Sequence, residues 1–482
     1  MSRCYRAVLA PLATLMLLVG CAAVGPDYVA PSLPATQLPA RFDELPAGLG
    51  PGSVEARWWG AFDEPALTGL VQRALAANHD IAIAAVRLEE ARAMLRESRQ
   101  GFLPRGGPAL SYENRRWSEV QTPAGQSRQN ETYRGAVDAS WEIDLFGRVR
   151  RSVEAARAQA GSREALLRGV QASVAAEVAA TWFELRGIEA ELAVAADTRQ
   201  SQRDSLSMVE RQVNAGAATE FDRLRAEALL RSVEVSVPEL ERRRDASVNA
   251  LAILLGEPPQ RFTPPAAEPG EQALALRTIA VGEPTALLWR RSDIAAAERA
   301  LAAATAQIGV ETAGLYPEVQ GSIGVVTGSL DGMSGASALS SFIGPMIRWS
   351  LLDTGRVRAR IAASEARARE ALIVYDQTVL RALQETDDAF KAHGAASNTL
   401  RLRLLESAAN GEAARLARAR FSEGEGVYLD VLEAERADYA SRRALTAART
   451  RQRLAVVGIY KALGGGWEVC AQARQPCDGA SL

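Results

Sequence analysis

The sequence repeats itself once, and this internal repeat limits the folds that the chain can adopt. Residues 78–81 and Leu103-Pro104 have counterparts at residues 291–294 and Tyr316-Pro317, 213 positions further on (Asp80 to Asp293). From Trp141 onward the offset becomes 208 (Trp141 to Trp349). The later matched pairs are Gly216 and Gly424, Asp222 and Asp430, Ala226-Glu227 and Ala434-Glu435, and Leu255-Gly256 and Leu463-Gly464. A constant offset over several motifs predicts a two-fold internal repeat.

Each half contains a long segment with the pattern of a helix. Residues 147–214 lack proline, and residues 355–422 have the same character. Apolar side chains recur at helical spacing in the first segment: Val170, Val174, Val178, Trp182, Leu185, Ile188 and Leu192. Each run of roughly 65 residues predicts ~95–100 Å of helix. At turns predicted for residues 215–217 and 423–426 the chain reverses direction. A second helix follows each turn, and these helices end near residues 254 and 463.

Such lengths do not suit a globular core. The composition agrees, because 48% of residues are hydrophobic but only 6% are aromatic. Much of the apolar content is alanine, which lets long helices approach each other closely. We therefore expect a mainly α-helical chain.

Each half also predicts a shorter helix followed by two strands. The helices cover residues 66–100 and 292–312, and Pro104 and Pro317 end them. The strands are predicted at 107–117 and 132–143 in the first half, and at 318–327 and 339–351 in the second. Strands of about 9–11 residues suit a membrane barrel. Their weak alternation also fits a hairpin on a soluble surface, and the sequence leaves both readings open.

The N-terminus has the pattern of an export signal. Arg3 and Arg6 precede an apolar run at residues 7–19, and a small residue comes just before Cys21. This order resembles a bacterial lipobox, in which the cysteine is acylated after cleavage. A signal peptide that merely contains a cysteine is the alternative. We assign residues 1–20 to a lipoprotein signal peptide and Cys21 to lipidation.

The sequence offers no other apolar run of the ~18 residues that a membrane helix needs. A chain that crosses a membrane without such helices does so with strands in a closed barrel. Cys470 and Cys477 lie near the C-terminus, and export to an oxidising compartment makes a disulfide between them one possibility. Two free thiols are the other.

Charge and motif content argue against several function classes. The net charge is −2, which lacks the basic footprint of a nucleic-acid binder. His79 and His393 are the two histidines, and they lie far apart with no cysteine nearby, so we expect no metal site. Phosphate-loop and Ser-His-Asp motifs do not stand out. We expect no enzymatic activity and no cofactor.

The repeat gives the following domain organisation. An extended anchor segment at 21–65 precedes repeat 1 at 66–256, with its hairpin at 107–143 and long helices at 147–254. A linker at 257–290 joins it to repeat 2 at 291–464, with its hairpin at 318–351 and long helices at 355–463. A tail covers residues 465–482.

The order of parts resembles the outer-membrane factor family, the outer-membrane channels of tripartite multidrug efflux systems of the resistance-nodulation-division type. The motifs that carry the resemblance are Cys21 with residues 24–28, Trp58-Trp59 with Phe62 and Leu67, residues 141–148, and residues 428–436. The resemblance implies a homotrimer. Four strands per chain would form a 12-stranded transmembrane β-barrel, and the long hairpins would form a periplasmic α-barrel. Four strands cannot close a barrel alone, so an oligomer is then required.

The resemblance also implies site residues and partners. It places an apolar constriction at Leu429 and the charged gate at Glu433 and Arg436, which share a helix face through i, i+4 and i+7 spacing. Glu433 departs from the aspartate usual in the family. An ordinary exposed salt bridge is the alternative for these charges. The hairpin ends at Gly216, Asp222, Gly424 and Asp430 would dock a periplasmic adaptor, although Asp222 also fits a solvated turn.

The implied function is the outer-membrane channel of a tripartite efflux system, which exports drugs or other small toxic compounds. Its implied partners are the adaptor, an inner-membrane pump and outer-membrane lipid through acylated Cys21. The alternative is a periplasmic coiled-coil lipoprotein scaffold without channel activity, which would lack the strand pairs.

Overall fold

The computed structural model describes residues 23–31, 45–50, 52, 55–125, 127–266, 279–282, 290–329 and 339–465. The signal peptide, the lipidation site Cys21 and the cysteines Cys470 and Cys477 lie outside these residues. Lipidation and the choice between a disulfide and free thiols therefore stay predictions.

The chain is mainly helical, as predicted. The helices are α1 (Pro65–Ala77), α2 (His79–Gln100), α3 (Arg148–Asn214), α4 (Glu220–Leu254), α5 (Ser292–Ala313), α6 (Thr354–Ser422) and α7 (Tyr428–Ala462). Helix α3 has 67 residues and α6 has 69, each without a break. Among the described residues, none of the helices is both long and apolar enough to cross a membrane.

The strands form two sheets. They are β1 (Leu49–Gly50), β2 (Arg105–Arg116), β3 (Gln129–Ile143), β4 (Ile279–Ala280), β5 (Glu318–Ser329) and β6 (Leu339–Arg348). The larger sheet has the order β2-β3-β5-β6 with antiparallel neighbours, and β1 pairs in parallel with β4. The anchor segment at 21–65 and the linker at 257–290 thus each contribute one strand of a pair.

Two differences between the predicted and observed element bounds have a visible physical cause. The single helix predicted at 66–100 is interrupted at Asn78, whose backbone is extended. The Asn78 side chain accepts from the N–H groups of Asp80 and Ile81, at 2.9 and 3.2 Å, and so caps α2. The last strand ends at Arg348 rather than at residue 351. A short 3₁₀ turn at Leu351–Asp353 redirects the chain into α6 there.

The strand register divides the side chains of the larger sheet between two faces. Leu110 pairs with Gly135, Val137 with Val325, and Ile323 with Ile343, so these positions lie on one face. That face is apolar and exposed, with Leu110 at 90% exposure. The positions between them place mainly Ser, Glu, Asp, Gln and Arg on the other face. An exposed apolar face of this kind indicates a surface that contacts another protein or a membrane.

The described chain consists of two compact units. Unit 1 comprises the described residues within Met1–Ser32, Arg87–Glu164 and Ala296–Asp376, and it holds the larger sheet. Unit 2 comprises those within Leu33–Val86, Ala165–Ala295 and Gln377–Leu482, and it holds the hairpin ends. Helices α2, α3, α5 and α6 contribute residues to both units.

The Trp58-Trp59 motif forms an aromatic core in unit 2. Both indoles are buried, and Trp58 stacks on Tyr460 of α7 with ring centres 5.1 Å apart. Phe62 packs against Phe183 of α3 at 4.6 Å. The motif therefore joins the segment before α1 to α3 and α7.

Positions matched by the sequence repeat make matching contacts in unit 2. Asn78 donates from Nδ2 to the Leu254 carbonyl, at the end of α4, at 2.9 Å. Its counterpart Arg291 donates from Nη1 to the Ala462 carbonyl, at the end of α7, at 3.0 Å. Each contact supplies a donor to a helix-end carbonyl that has no partner inside its own helix.

Unit 1 contains a second matched pair of contacts. The Trp141 indole donates to the Phe102 carbonyl at 3.0 Å, and the Trp349 indole donates to the Leu315 carbonyl at 3.0 Å. Both carbonyls lie two residues before the prolines that follow α2 and α5. The indoles therefore fix the ends of β3 and β6 against the helix ends.

We expect Arg291→Met to lower the free energy of unfolding of unit 2 by about 2 kcal/mol. Arg291 is almost fully buried and bonds Glu385, Asp293 and the Ala462 carbonyl. The two carboxylates left behind are half exposed, so the loss stays below the ~3–5 kcal/mol of a fully buried ion pair. The midpoint of thermal unfolding in detergent, followed by circular dichroism, measures the effect.

The matched control is Arg356→Met, which removes an exposed arginine paired with Asp353. We expect this variant to change stability by less than about 0.5 kcal/mol. Equal shifts for the two variants would contradict the role of Arg291.

Candidate functional site

The two long hairpins of unit 2 end in turns built around a left-handed glycine. Gly216 has φ of 75° between α3 and α4, and Gly424 has φ of 79° between α6 and α7. This backbone region disfavours residues with a Cβ, which explains the glycine at both hairpin ends. In each turn an N–H donates back into the last helical turn: Ala217 to the Gln212 carbonyl at 2.8 Å, and Glu425 to the Arg420 carbonyl at 2.9 Å. These are the bonds of a Schellman motif.

The helices that leave these turns are capped differently. In α4, Asp222 N–H donates to Thr219 Oγ1 and Thr219 N–H donates to Asp222 Oδ2, both at 3.2 Å. This reciprocal capping box gives Asp222 a structural role in the turn. In α7 the matching residues are Val427, whose side chain provides no cap, and the exposed Asp430.

A buried apolar cluster joins the two hairpins close to these turns. It contains Val209, Ala226, Leu229, Phe421, Tyr428, Val431 and Leu432, which come from α3, α4, α6 and α7. The Phe421 and Tyr428 rings pack with centres 5.5 Å apart. This cluster fixes which face of α7 is buried and which is presented outward.

The predicted gate residues lie on the outward face of α7. Leu429, Glu433 and Arg436 are all exposed, whereas Tyr428, Val431 and Leu432 point into the cluster. Within the part of the chain that the structure describes, neither Glu433 nor Arg436 makes an ion pair. The ordinary salt bridge along the helix is therefore absent there, and both charges are available to a group outside the protomer.

Sequence reasoning overlooked a buried carboxylate on the other side of α7. Glu435 is only 4% exposed. Its Oε1 accepts from Ser205 Oγ at 2.8 Å, and its Oε2 accepts from Gln202 Nε2 at 3.0 Å. Burial is the leading cause that raises the pKa of Glu435 above its ordinary value. The available signal was helical spacing, because Glu435 follows Tyr428, Val431 and Leu432 on one stripe.

The repeat counterpart of Glu435 has different surroundings. Glu227 on α4 is partly exposed and pairs with Arg223 at 3.1 Å and Arg231 at 3.7 Å. Two carboxylates at matched positions therefore have separate roles. Glu227 joins an exposed ion-pair network along α4. Glu435 connects α7 to α3 through neutral donors and pairs with Arg418 of α6 at 3.8 Å.

The segment that follows the predicted lipidation site is held firmly in unit 1. Arg151 on α3 is nearly buried and donates from Nη2 to Asp27 Oδ1 at 2.6 Å and from Nε to the Val24 carbonyl at 3.2 Å. Gly25 lies so close to Gly309 of α5 that a Cβ on Gly25 would approach Gly309 Cα to 2.4 Å. These contacts account for the glycine at position 25 and the aspartate at position 27 of the motif.

Within the described ranges, no group of three or more His, Cys, Asp or Glu side chains is arranged to hold a metal ion.

Comparison with known proteins gives consistent matches along most of the chain. The outer membrane efflux protein family (OEP) matches residues 70–257 and 284–465. Outer membrane protein OprJ of Pseudomonas aeruginosa is 31% identical over 94% of this chain and 95% of its own length. The toluene efflux pump outer membrane protein TtgI of Pseudomonas putida is 31% identical over 95% of this chain and 98% of its own.

A solved structure supports the same relationship. The outer-membrane channel OprN is similar to this chain with a TM-score of 0.84 and 33% sequence identity. The match covers 92% of this chain and 99% of the OprN chain. Similarity of both sequence and fold therefore extends through the hairpins and the sheet.

Proposed function

The chain belongs to the outer membrane efflux protein family, and from this premise we propose how its parts work. It is the outer-membrane channel component of an efflux system, and it extends into the periplasm. Its relatives are transport proteins, and we propose that the chain has no catalytic activity of its own. Its cargo is drugs or other small toxic compounds, which an inner-membrane pump delivers through an adaptor and which pass along the channel without further energy input.

One observation carries this function: a single chain combines two very long helical hairpins with a sheet whose exposed face is apolar. Leu110, Val137, Ile323 and Ile343 lie on that face and are all more than half exposed. Tyr112 and Tyr133 pack near one end of the face, and Trp141 lies near the other. Apolar side chains between aromatic borders suit contact with lipid. A periplasmic coiled-coil scaffold would lack such a sheet.

The sheet also supports a homotrimer. Within the described residues, β2 and β6 each pair on one side only, so each leaves a row of backbone N–H and C=O groups open. Open edges are not tolerated in lipid, since each unpaired group costs several kcal/mol. Three copies joined edge to edge supply twelve strands and remove every edge.

We expect Leu110→Arg to reduce the amount of assembled channel severalfold. An arginine on the lipid face costs ~2–4 kcal/mol near the bilayer centre. The measurement is the amount of heat-modifiable trimer in the outer-membrane fraction. Ser111→Arg is the matched control, because the neighbouring residue lies on the polar face and should assemble normally. Equal assembly of both variants would rule out the apolar face as the lipid contact.

The outward face of α7 is the proposed periplasmic gate. Leu429 would narrow the passage, and Glu433 of each protomer would pair with Arg436 of a neighbouring copy. Their exposure and their lack of an ion-pair partner in the described part of the protomer support this role. Three apolar side chains and three charge pairs around one axis would keep the resting passage small.

The double variant Glu433→Ala and Arg436→Ala should raise the resting single-channel conductance in lipid bilayers. An exposed ion pair contributes ~0.5 kcal/mol. The loss of three such pairs would change the open-to-closed ratio roughly tenfold. The matched control is Glu239→Ala with Arg242→Ala, which deletes an exposed ion pair of i, i+3 spacing on α4. An unchanged conductance in the gate variant would count against the gate.

The hairpin ends around Gly216, Asp222, Gly424 and Asp430 are the proposed docking points for the adaptor. Exposed apolar side chains at these ends support the proposal, since they are typical of interaction sites. They are Phe221, Leu224 and Val427, with Arg225 stacked on the Phe221 ring at 3.9 Å.

Phe221→Asp should therefore weaken co-purification of the adaptor with the channel after chemical cross-linking. A charge at this position would have to be desolvated in the contact. Val235→Asp is the control, because Val235 is also exposed on α4 but lies about four turns from the hairpin end. Equal adaptor recovery with both variants would argue against docking at this end.

A further inference from the structure

Glu435 lies on the opposite side of α7 from the proposed gate. It follows Glu433 by two residues, which corresponds to about 200° around a helix. Glu433 is exposed, and Glu435 is buried against α3. The contacts with Ser205 and Gln202 therefore tie the gate helix of the second hairpin to the first hairpin. Because Glu435 is more than 200 positions from both Gln202 and Ser205 in sequence, only the fold brings it to them.

The charged groups around Glu435 come from three helices. From α6, Arg418 Nε forms an ion pair with Oε1 at 3.8 Å, and Arg418 Nη1 donates to Ser201 Oγ at 3.0 Å. From α7 itself, Asp438 acts on Glu435 with the same sign of charge. Tyr428 lies near Glu435 and also faces Asp222 of α4 and Arg436 of α7. From α3, the facing groups Gln202 and Ser205 are neutral.

These surroundings shift the protonation equilibrium of Glu435 toward the neutral form, relative to a glutamate in water. Desolvation raises its pKa most, and Asp438 adds to this effect. The hydrogen bonds from Ser205 and Gln202 and the charge of Arg418 act in the opposite direction but do not outweigh burial. A carboxylate in this position is therefore costly to keep ionised.

Gln202 can bond either protonation state of Glu435. Its Oε1 is buried and has no partner among the described residues, and its Nε2 donates to the carboxylate. If Glu435 is protonated, a half-turn of the Gln202 amide presents an oxygen acceptor to the new O–H donor. The tie between α7 and α3 then persists, and the cost of a buried charge disappears.

We infer that Glu435 is a proton-sensitive tie that positions the gate face: acidification strengthens the attachment of α7 to α3 and holds the hairpin end closed. This inference rests on the proposed gate. It adds Glu435, which lies outside the gate face, as a residue that positions that face. An opening that separates α7 from α3 would return Glu435 to water.

The direction follows from linkage between protonation and packing. The pKa of Glu435 is raised in the packed state and returns toward its ordinary value when the group is hydrated. Its contribution to the packed state is therefore complete at low pH and is lost as the pH rises through the raised value. Each pKa unit between the two states changes the open-to-closed ratio by up to tenfold.

Single-channel conductance across pH 5 to 8 tests the inference in the Glu433→Ala, Arg436→Ala background, which lacks the charges of the proposed gate. In that background we expect acid to lower the conductance. Adding Glu435→Gln, a neutral isostere that can still bond Gln202, should give low conductance at all these pH values. Glu227→Gln, the substitution at the matched position of the first hairpin, should leave the pH profile unchanged. A profile that survives Glu435→Gln would overturn the inference.

Ser205→Ala provides a second readout with a smaller structural change. It removes a donor that stabilises the carboxylate, so the midpoint of the pH profile should move to higher pH. An unmoved midpoint in the Ser205→Ala variant would also overturn the inference. This readout remains available if the Glu435→Gln variant does not assemble. The gate is tested separately, because its failure appears as unchanged conductance at neutral pH in the Glu433→Ala, Arg436→Ala variant.

Discussion

The close packing of long helices through small side chains is the constraint on which the other features depend. Ala175, Ala179 and Ala195 of α3 and Ala226 of α4 are fully buried. At Gly187 a Cβ would lie 2.2 Å from Thr450 Oγ1 of α7, so even a methyl group does not fit there. A helix of 67 residues finds enough apolar contact only along other long helices, and the chain supplies these by folding back twice into hairpins.

Small side chains alone do not fix the register of two helices, since a helix shifted along its neighbour would make similar alanine contacts. Polar contacts at defined positions do so here. Asn78 and Arg291 hold the far ends of α4 and α7, Glu435 holds α7 to α3, and the indoles of Trp141 and Trp349 hold the strand ends. A hydrogen bond contributes only about 1 kcal/mol, but leaving a buried polar group unpaired costs more, and this difference penalises a slipped register.

The two halves differ at the hairpin ends, where the proposed functions lie. The first hairpin has a capping box at Thr219 and an exposed ion-pair network around Glu227, both of which stabilise α4 locally. The second has Val427 at the matching cap position and a buried Glu435 whose preferred charge depends on its surroundings. The first end is therefore suited to a fixed contact, and the second to a change of position.

The long helices, their glycine turns and the alternation of helices and strands follow from local sequence pattern. Helical spacing also placed Leu429, Glu433 and Arg436 on one face, because the period of a helix depends on the backbone alone. Local pattern did not locate the break at Asn78, since its cap is stabilised by the distant Leu254 carbonyl. It also did not identify the apolar face of the sheet, which several strands build together.

What covers each side of α7, and with it the role of Glu435, was decided only by the tertiary structure. Helical spacing puts Glu435 on one stripe with Tyr428, Val431 and Leu432, but a carboxylate on a helix is ordinarily solvated, and residues 428–436 do not show what packs against that stripe. The difference arises because Gln202, Ser205 and the apolar cluster of three other helices cover one side of α7 and leave the other open. Sequence determined the period of the helix, and packing between distant segments determined its orientation.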